Sequence, residues 1–137
     1  MKRLMLALVI IGIVIYMSAV AEQSAINAQS QGEVNFVTGG VGAEERQELQ
    51  ALRGEYNLQL LFILKDSGSY LSDVKVRIED AKGVVYLETV ADGPLLFAKL
   101  KPGNYTVHAN QDGYEINKKA LIGTEKSTSL IFSWPKQ

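Results

Sequence analysis

The chain has 137 residues, of which 47% are hydrophobic, and it contains no cysteine. Its 14 lysine and arginine residues nearly balance 15 aspartate and glutamate residues, so the formal net charge is −1 at pH 7. This balance gives no electrostatic indication of a nucleic-acid partner. Without cysteine, disulfide bonds and a cysteine-linked lipid anchor are excluded, so the fold must be held together by packing.

The N-terminal segment has the three parts of a secretory signal peptide. A basic start at Lys2 precedes an apolar run over 4–17, and the small residues Ala19 and Ala21 precede Glu22. We therefore predict a signal peptide over the first 21 residues and an exported protein in the periplasm or outside the cell. The alternative is an uncleaved inner-membrane anchor, because the apolar stretch approaches the length that spans a bilayer.

Two segments separate this N-terminus from the body of the chain. Within 22–38, the polar residues 22–32 are predicted to be a flexible linker, and the short apolar piece 34–38 is predicted to be a strand or an extended arm. Region 39–55 is predicted to be a glycine-rich turn followed by one short helix over 43–53, since nearly all of its residues favour helix and Gly54 supplies a stop. We expect this helix to dock as an addition to the domain that follows.

Region 56–137 is predicted to be an all-β sandwich domain. Apolar and alternating segments are separated by turn residues at intervals of about ten residues, the spacing of a sandwich. The seven predicted strands cover 58–65, 74–79, 84–90, 95–100, 104–111, 114–122 and 128–134.

The turn at Pro102 and Gly103 is predicted to join two of these strands into a hairpin. Beyond it, alternation directs Tyr105 and Val107 towards the core. Trp134 is expected to seal one edge or end of the sandwich. The other predicted core residues are Phe62, Ile78 and Phe97.

Spaced residues along this region resemble the carboxypeptidase regulatory-like family. They are Leu71-x-Asp73-Val74-x-Val76, Gly83, Asp92-Gly93-Pro94-x-x-Phe97-x-x-Leu100-x-Pro102-Gly103-x-Tyr105-x-Val107-x-Ala109 and Gly113-Tyr114. The resemblance implies a transthyretin-like, seven-stranded Greek-key sandwich. The segment from Gly39 to Arg46 also resembles that of small exported bacterial proteins whose function is not established. The resemblance implies a fold and a compartment but no reaction.

His108 is the only histidine and the main candidate for an acid–base group. It alternates out of phase with Tyr105 and Val107, which predicts a position on the outer surface without a catalytic role. Hydroxyisourate hydrolases resemble transthyretin but rely on several histidines, an arginine and a Tyr-Arg-Gly-Ser tail, whereas this chain ends in Ser-Trp-Pro-Lys-Gln. We therefore predict no enzymatic activity and no catalytic residue.

No cofactor or metal is predicted, because zinc sites need several histidine or cysteine ligands. A calcium site among turn aspartates stays open as an alternative to their common role in forming turns. These aspartates are Asp66, Asp73, Asp80, Asp92 and Asp112.

The leading hypothesis is a non-enzymatic exported module that binds an envelope protein, a peptide or a glycan, with strand addition at an open sheet edge as one mechanism. The alternatives are a small-molecule or carbohydrate binder that uses the turn loops and, less favoured, a hydrolase. The candidate binding residues are the aromatic Tyr70, Tyr86, Tyr114 and Trp134, and Gly39, Gly40 and Gly42, which form either an anion cradle or a plain turn.

Overall fold

A computed structural model describes residues 26–135. Over this range the protein is mostly β-strand, with nine strands in two sheets and one short α-helix. The predicted all-β class with one helix is therefore confirmed. None of the described residues belongs to a helix long and apolar enough to cross a bilayer. The expected signal peptide and its cleavage residues Ala19, Ala21 and Glu22 lie outside the described residues.

The strands after the helix lie within two residues of the predicted ranges at each end. The elements are β1 (Gln29–Gln31), β2 (Val34–Gly39), α1 (Ala43–Leu52) with a 3-10 turn (Arg53–Glu55), β3 (Leu58–Leu64), β4 (Val74–Asp80), β5 (Val85–Ala91), β6 (Leu95–Lys99), β7 (Gly103–Gln111), β8 (Tyr114–Ile122) and β9 (Thr128–Trp134). The five-stranded sheet has the order β1-β2-β6-β3-β9, and the four-stranded sheet has the order β5-β4-β7-β8. Neighbouring strands are antiparallel except β3 and β9, which run parallel.

The predicted hairpin around Pro102 is wrong, because β6 and β7 belong to different sheets. The turn carries the chain across the core instead of back along the same sheet. The burial patterns of β6 and β7 agree with their positions in different sheets. Residues Leu95 to Ala98 of β6 are all buried, as a sheet covered on both faces requires, whereas burial alternates along the first half of β7.

The sandwich also begins before the helix. Strand β1 lies where the sequence predicted a linker, and β2 lies where it predicted a strand or an extended arm; the two form an antiparallel hairpin. Strand β2 pairs with β6, and Val34 and Phe36 are buried in the core between the sheets. Residues on the N-terminal side of position 56 therefore contribute both backbone pairing and core packing to the sandwich.

The core between the sheets contains Phe62, Ile78, Tyr105 and Val107, all of which the sequence predicted to be buried. Trp134 is fully buried beside them, and its ring stacks on Phe132 with centroids 6.2 Å apart. Its indole Nε1 donates a hydrogen bond to the backbone oxygen of Tyr114, 2.9 Å away. Trp134 thereby joins the end of β9 in one sheet to the start of β8 in the other.

A second, smaller core lies on the other face of the five-stranded sheet. It consists of Val37, Leu95, Phe97 and the helix residue Leu49, all buried. Phe97, a predicted core residue, is therefore buried beneath the helix and not between the sheets. A helix of ten residues is too short to be stable alone in water, so α1 depends on this contact. Burying the Leu49 side chain contributes about 2 kcal/mol to that docking.

Tyr105 is held from several sides at the start of β7. Its hydroxyl donates a hydrogen bond to the backbone oxygen of Lys101 at 2.7 Å, and its ring meets the ring of Tyr86 edge-on at 5.7 Å. Burial raises the pKa of the Tyr105 hydroxyl above its ordinary value. The adjacent Thr106 points to the opposite face and is only partly buried.

Replacing Tyr105 with alanine is expected to lower the free energy of unfolding by about 3–5 kcal/mol, because it removes a buried ring and leaves a cavity. The control, Thr106→Ala, should cost less than about 1 kcal/mol because its side chain lies on the outer face. Urea denaturation of both variants measures the difference. Equal losses would contradict the orientation of β7.

Candidate binding face

The outer face of the four-stranded sheet is polar and is not covered by the helix. Alternate residues of β4 face the core, namely Val74, Val76 and Ile78. The residues between and after them, Lys75, Arg77 and Glu79, therefore point outward. Adjacent strands follow the same alternation. We call this surface the open face, in contrast to the face of the five-stranded sheet that α1 covers.

The strand register arranges the open face in two central rows. The first row runs across the four strands as Val90, Lys75, Asn110 and Glu115. The second row runs in parallel as Glu88, Arg77, His108 and Asn117. An open groove of about 620 Å³ lies over these rows. Because the side chains project from hydrogen-bonded strands, their backbone positions are fixed before any ligand arrives.

His108 lies at the centre of a hydrogen-bond network on this face. Its Nε2 is 2.8 Å from Oε1 of Glu79, and its Nδ1 is 2.7 Å from Oδ1 of Asn117 and 3.4 Å from Oε2 of Glu115. The side chain is only 13% exposed. The sequence placed His108 on the outer surface without a role, whereas the structure makes it the group that fixes two carboxylates. The register of three strands, which alternation alone does not give, was needed to find this network.

The two cations of β4 are differently placed. The Nε atom of Arg77 is buried and has no hydrogen-bond acceptor among the described residues. The nearest carboxylate oxygen, Oε2 of Glu79, is 4.0 Å away, because Glu79 directs its other oxygen to His108. This 4.0 Å contact is a long ion pair, whereas Lys75 has neither an ion-pair nor a hydrogen-bond partner within the described part of the chain. Leaving the buried Nε donor without a hydrogen bond costs free energy.

The aromatic candidates are not gathered into one loop cluster. Trp134 is fully buried, so its ring is not accessible to a ligand. Tyr86 is partly buried at the start of β5, at the end of the sandwich opposite to Tyr70 and Tyr114. These two are exposed, and the Arg46 guanidinium lies 4.6 Å above the Tyr70 ring.

The glycine-rich turn is filled by the chain's own carboxylate. The backbone N–H of Gly40 donates a hydrogen bond to Oε1 of Glu45 at 2.7 Å, and Arg46 donates to the Gly40 oxygen at 3.0 Å. A Cβ atom at Gly39 would overlap the same Glu45 carboxylate, and Gly42 has φ 92° just before the helix. The position that an external anion would need is therefore occupied from the first turn of α1.

The turn aspartates serve the backbone where their contacts are visible. The Asp80 carboxylate accepts hydrogen bonds from the N–H groups of Lys82 and Val84, and the bond from Val84 contributes most to lowering the Asp80 pKa. Asp112 and Gly113 both have positive φ, as a two-residue hairpin turn of type I′ requires. The described residues contain no group of three or more side chains suited to a metal ion.

The sheet edges are partly closed by side chains. The Gln31 amide donates to the backbone oxygen of Glu88 at 3.1 Å and accepts from its N–H at 2.8 Å, in the place that a neighbouring strand would take beside β5. At the opposite side, Thr128 donates to the backbone oxygen of Leu121 at 2.8 Å. Strand addition, one of the mechanisms considered from the sequence, would have to displace such contacts.

Gln31→Ala is expected to lower the free energy of unfolding by about 1–2 kcal/mol, because both hydrogen bonds to Glu88 are lost. Hydrogen exchange should show a more rapidly exchanging Glu88 amide. Ser30→Ala, on the same short strand, is the control and should leave that amide unchanged. A Glu88 amide that stays equally protected in Gln31→Ala would show that Gln31 does not close this edge.

Comparison with known proteins does not assign a family to the chain. No family model matches it, and no curated protein sequence matches it significantly.

Proposed function

We propose that this protein is a non-enzymatic, exported binding module that holds an extended peptide segment of another envelope protein on its open face. The observation that carries the proposal is the groove of about 620 Å³ over the two rows of the four-stranded sheet. Within it, His108 is fixed by Glu79 and Asn117, while Arg77 has an unsatisfied donor. A rigid surface with unfilled hydrogen-bonding capacity is suited to binding.

Several observations favour the open face over the other surfaces. The helix α1 covers the outer side of the five-stranded sheet. On the β5 edge, Gln31 already forms hydrogen bonds with the backbone of Glu88. The glycine-rich turn holds Glu45 in its anion position. The open face carries ordered polar groups and is not covered by the helix.

A peptide is favoured over a glycan because the groove lining contains no tyrosine, tryptophan or phenylalanine for stacking on a sugar ring. Carbohydrate or small-molecule binding through the turn loops, the alternative from the sequence, loses support because Trp134 is buried. A hydrolase is also less favoured. The hydrogen bonds of His108 go to Glu79 and Asn117, neither of which is a hydroxyl or thiol nucleophile.

The same proposal includes export and the transthyretin-like Greek-key fold. Export is supported by the order of basic, apolar and small residues at the N-terminus. The fold is supported by the strands after the helix, which form the orders β6-β3-β9 and β5-β4-β7-β8 in two sheets. Membership in the carboxypeptidase regulatory-like family rests on the spaced motif from Leu71 to Tyr114.

Photo-crosslinking in the native cells tests the binding face. A photoreactive amino acid at Val90 or at Asn110, both on the open face, should give a specific adduct that fractionates with the cell envelope. The matched controls are Gln47 on the exposed side of α1 and the exposed Ile131 on β9, the edge strand of the five-stranded sheet. Adducts from Gln47 or Ile131 without any from the open face would refute the proposed site.

A further inference from the structure

We infer that the group recognised on the open face is a carboxylate of an acidic peptide, bound by Arg77 together with Lys75. This inference rests on the proposed function and names the chemistry of its ligand. It starts from Arg77, whose side chain is 40% exposed while its Nε atom is buried without an acceptor. Because the buried Nε is out of a ligand's reach, the donors offered to the groove are those of the two terminal nitrogens, whose planar fork matches a carboxylate.

His108 keeps Arg77 available by holding the competing acid. Glu79 is two residues from Arg77 on the same face of β4, and it forms only a long ion pair with Arg77, with Oε2 4.0 Å from Nε. Its other oxygen, Oε1, lies much closer to His108, at 2.8 Å. Glu115 is likewise drawn to His108, at 3.4 Å. His108 is therefore a positioning residue, since it acts on the ligand through Glu79.

Two further donors, both in the first row, lie next to Arg77 of the second row. Lys75 is on the same strand and face, about 7 Å from Arg77 along β4. The Oδ1 atom of Asn110 accepts the Gly113 N–H at 2.9 Å, which leaves the Asn110 amide NH2 as a further donor. Asn110 lies opposite Lys75 in the strand register, so we expect one carboxylate to accept from Arg77, Lys75 and Asn110.

The surrounding acids favour a carboxylate over a phosphate. Glu88 is the cross-strand partner of Arg77, and Glu79 lies 4.0 Å from its Nε. Both repel an anion, and a phosphate monoester with nearly two charges is repelled more strongly than a carboxylate with one. Val90, exposed at the end of the first row, offers apolar contact to a neighbouring side chain of the peptide.

The test uses the full chain, labelled with nitrogen-15 and kept in mild detergent. One probe is a blocked pentapeptide with a central glutamate between two valines, and its control has glutamine in place of glutamate. The glutamate peptide should shift the Arg77 Nε–H signal and bind at least tenfold more tightly than the glutamine peptide. Arg77→Gln should weaken it at least tenfold, whereas Lys119→Gln, on the same sheet but outside the two rows, should change it less than twofold.

A second pair of variants tests the role of His108. His108→Gln should release Glu79 towards Arg77 and weaken binding of the glutamate peptide severalfold. Adding Glu79→Gln to that variant should restore binding, which a purely structural role of His108 would not produce. Intact backbone spectra of both variants show that the fold is retained. No recovery in the double variant would overturn the positioning role.

Other outcomes separate this inference from the proposed function. Equal binding of the two peptides on the open face would overturn the recognition of a carboxylate but would agree with a binding site on this face. Tighter binding of inorganic phosphate than of the glutamate peptide would overturn the choice of anion. Binding of an oligogalacturonate, with no binding of either peptide, would overturn the claim that the ligand is a peptide. If no probe shifts the open face and crosslinks map elsewhere, both proposals fail.

Discussion

The five-stranded sheet is apolar on both faces, and the rest of the structure depends on covering both of them. In β6, Leu96 and Ala98 face the core between the sheets, while Leu95 and Phe97 face the other way. The four-stranded sheet covers the first face. The second face is covered by α1, which places Leu49 on it. A chain without disulfide bonds must bury such surface by packing, because exposed apolar area of this extent promotes association.

The way in which the two sheets are covered explains the position of the open face. The four-stranded sheet uses its apolar side against the core and needs no second cover, so its outer side is available for polar groups. Cross-strand contacts then decide which of those groups are paired. Glu79 and Glu115 are held by His108, whereas Arg77 and Lys75 are left with donors to offer. The binding that we propose for this face therefore depends on local pairing of charged side chains across the sheet.

The strands after the helix could be predicted because alternation and turn residues are local signals. The sheet that each strand joins could not be predicted. The hairpin prediction at Pro102 was wrong because a Pro-Gly pair reverses the chain both within one sheet and between two sheets. Strand β1 has the sequence Gln-Ser-Gln and no strand signal, so its structure comes from pairing with β2. The phase of β7 put His108 outside, but its contacts with Glu79 and Asn117 depend on the register of neighbouring strands.

The central claim is that the hairpin and α1 are integral to the sandwich because they complete and cover the five-stranded sheet. Thermal melting of 56–137 alone, beside the chain from residue 26 onward, tests it most directly. Without Phe36 in the core and Leu49 over Phe97, the shorter chain should lose its cooperative transition or aggregate. A monomeric 56–137 that melts cooperatively within a few degrees of the longer chain would contradict the account.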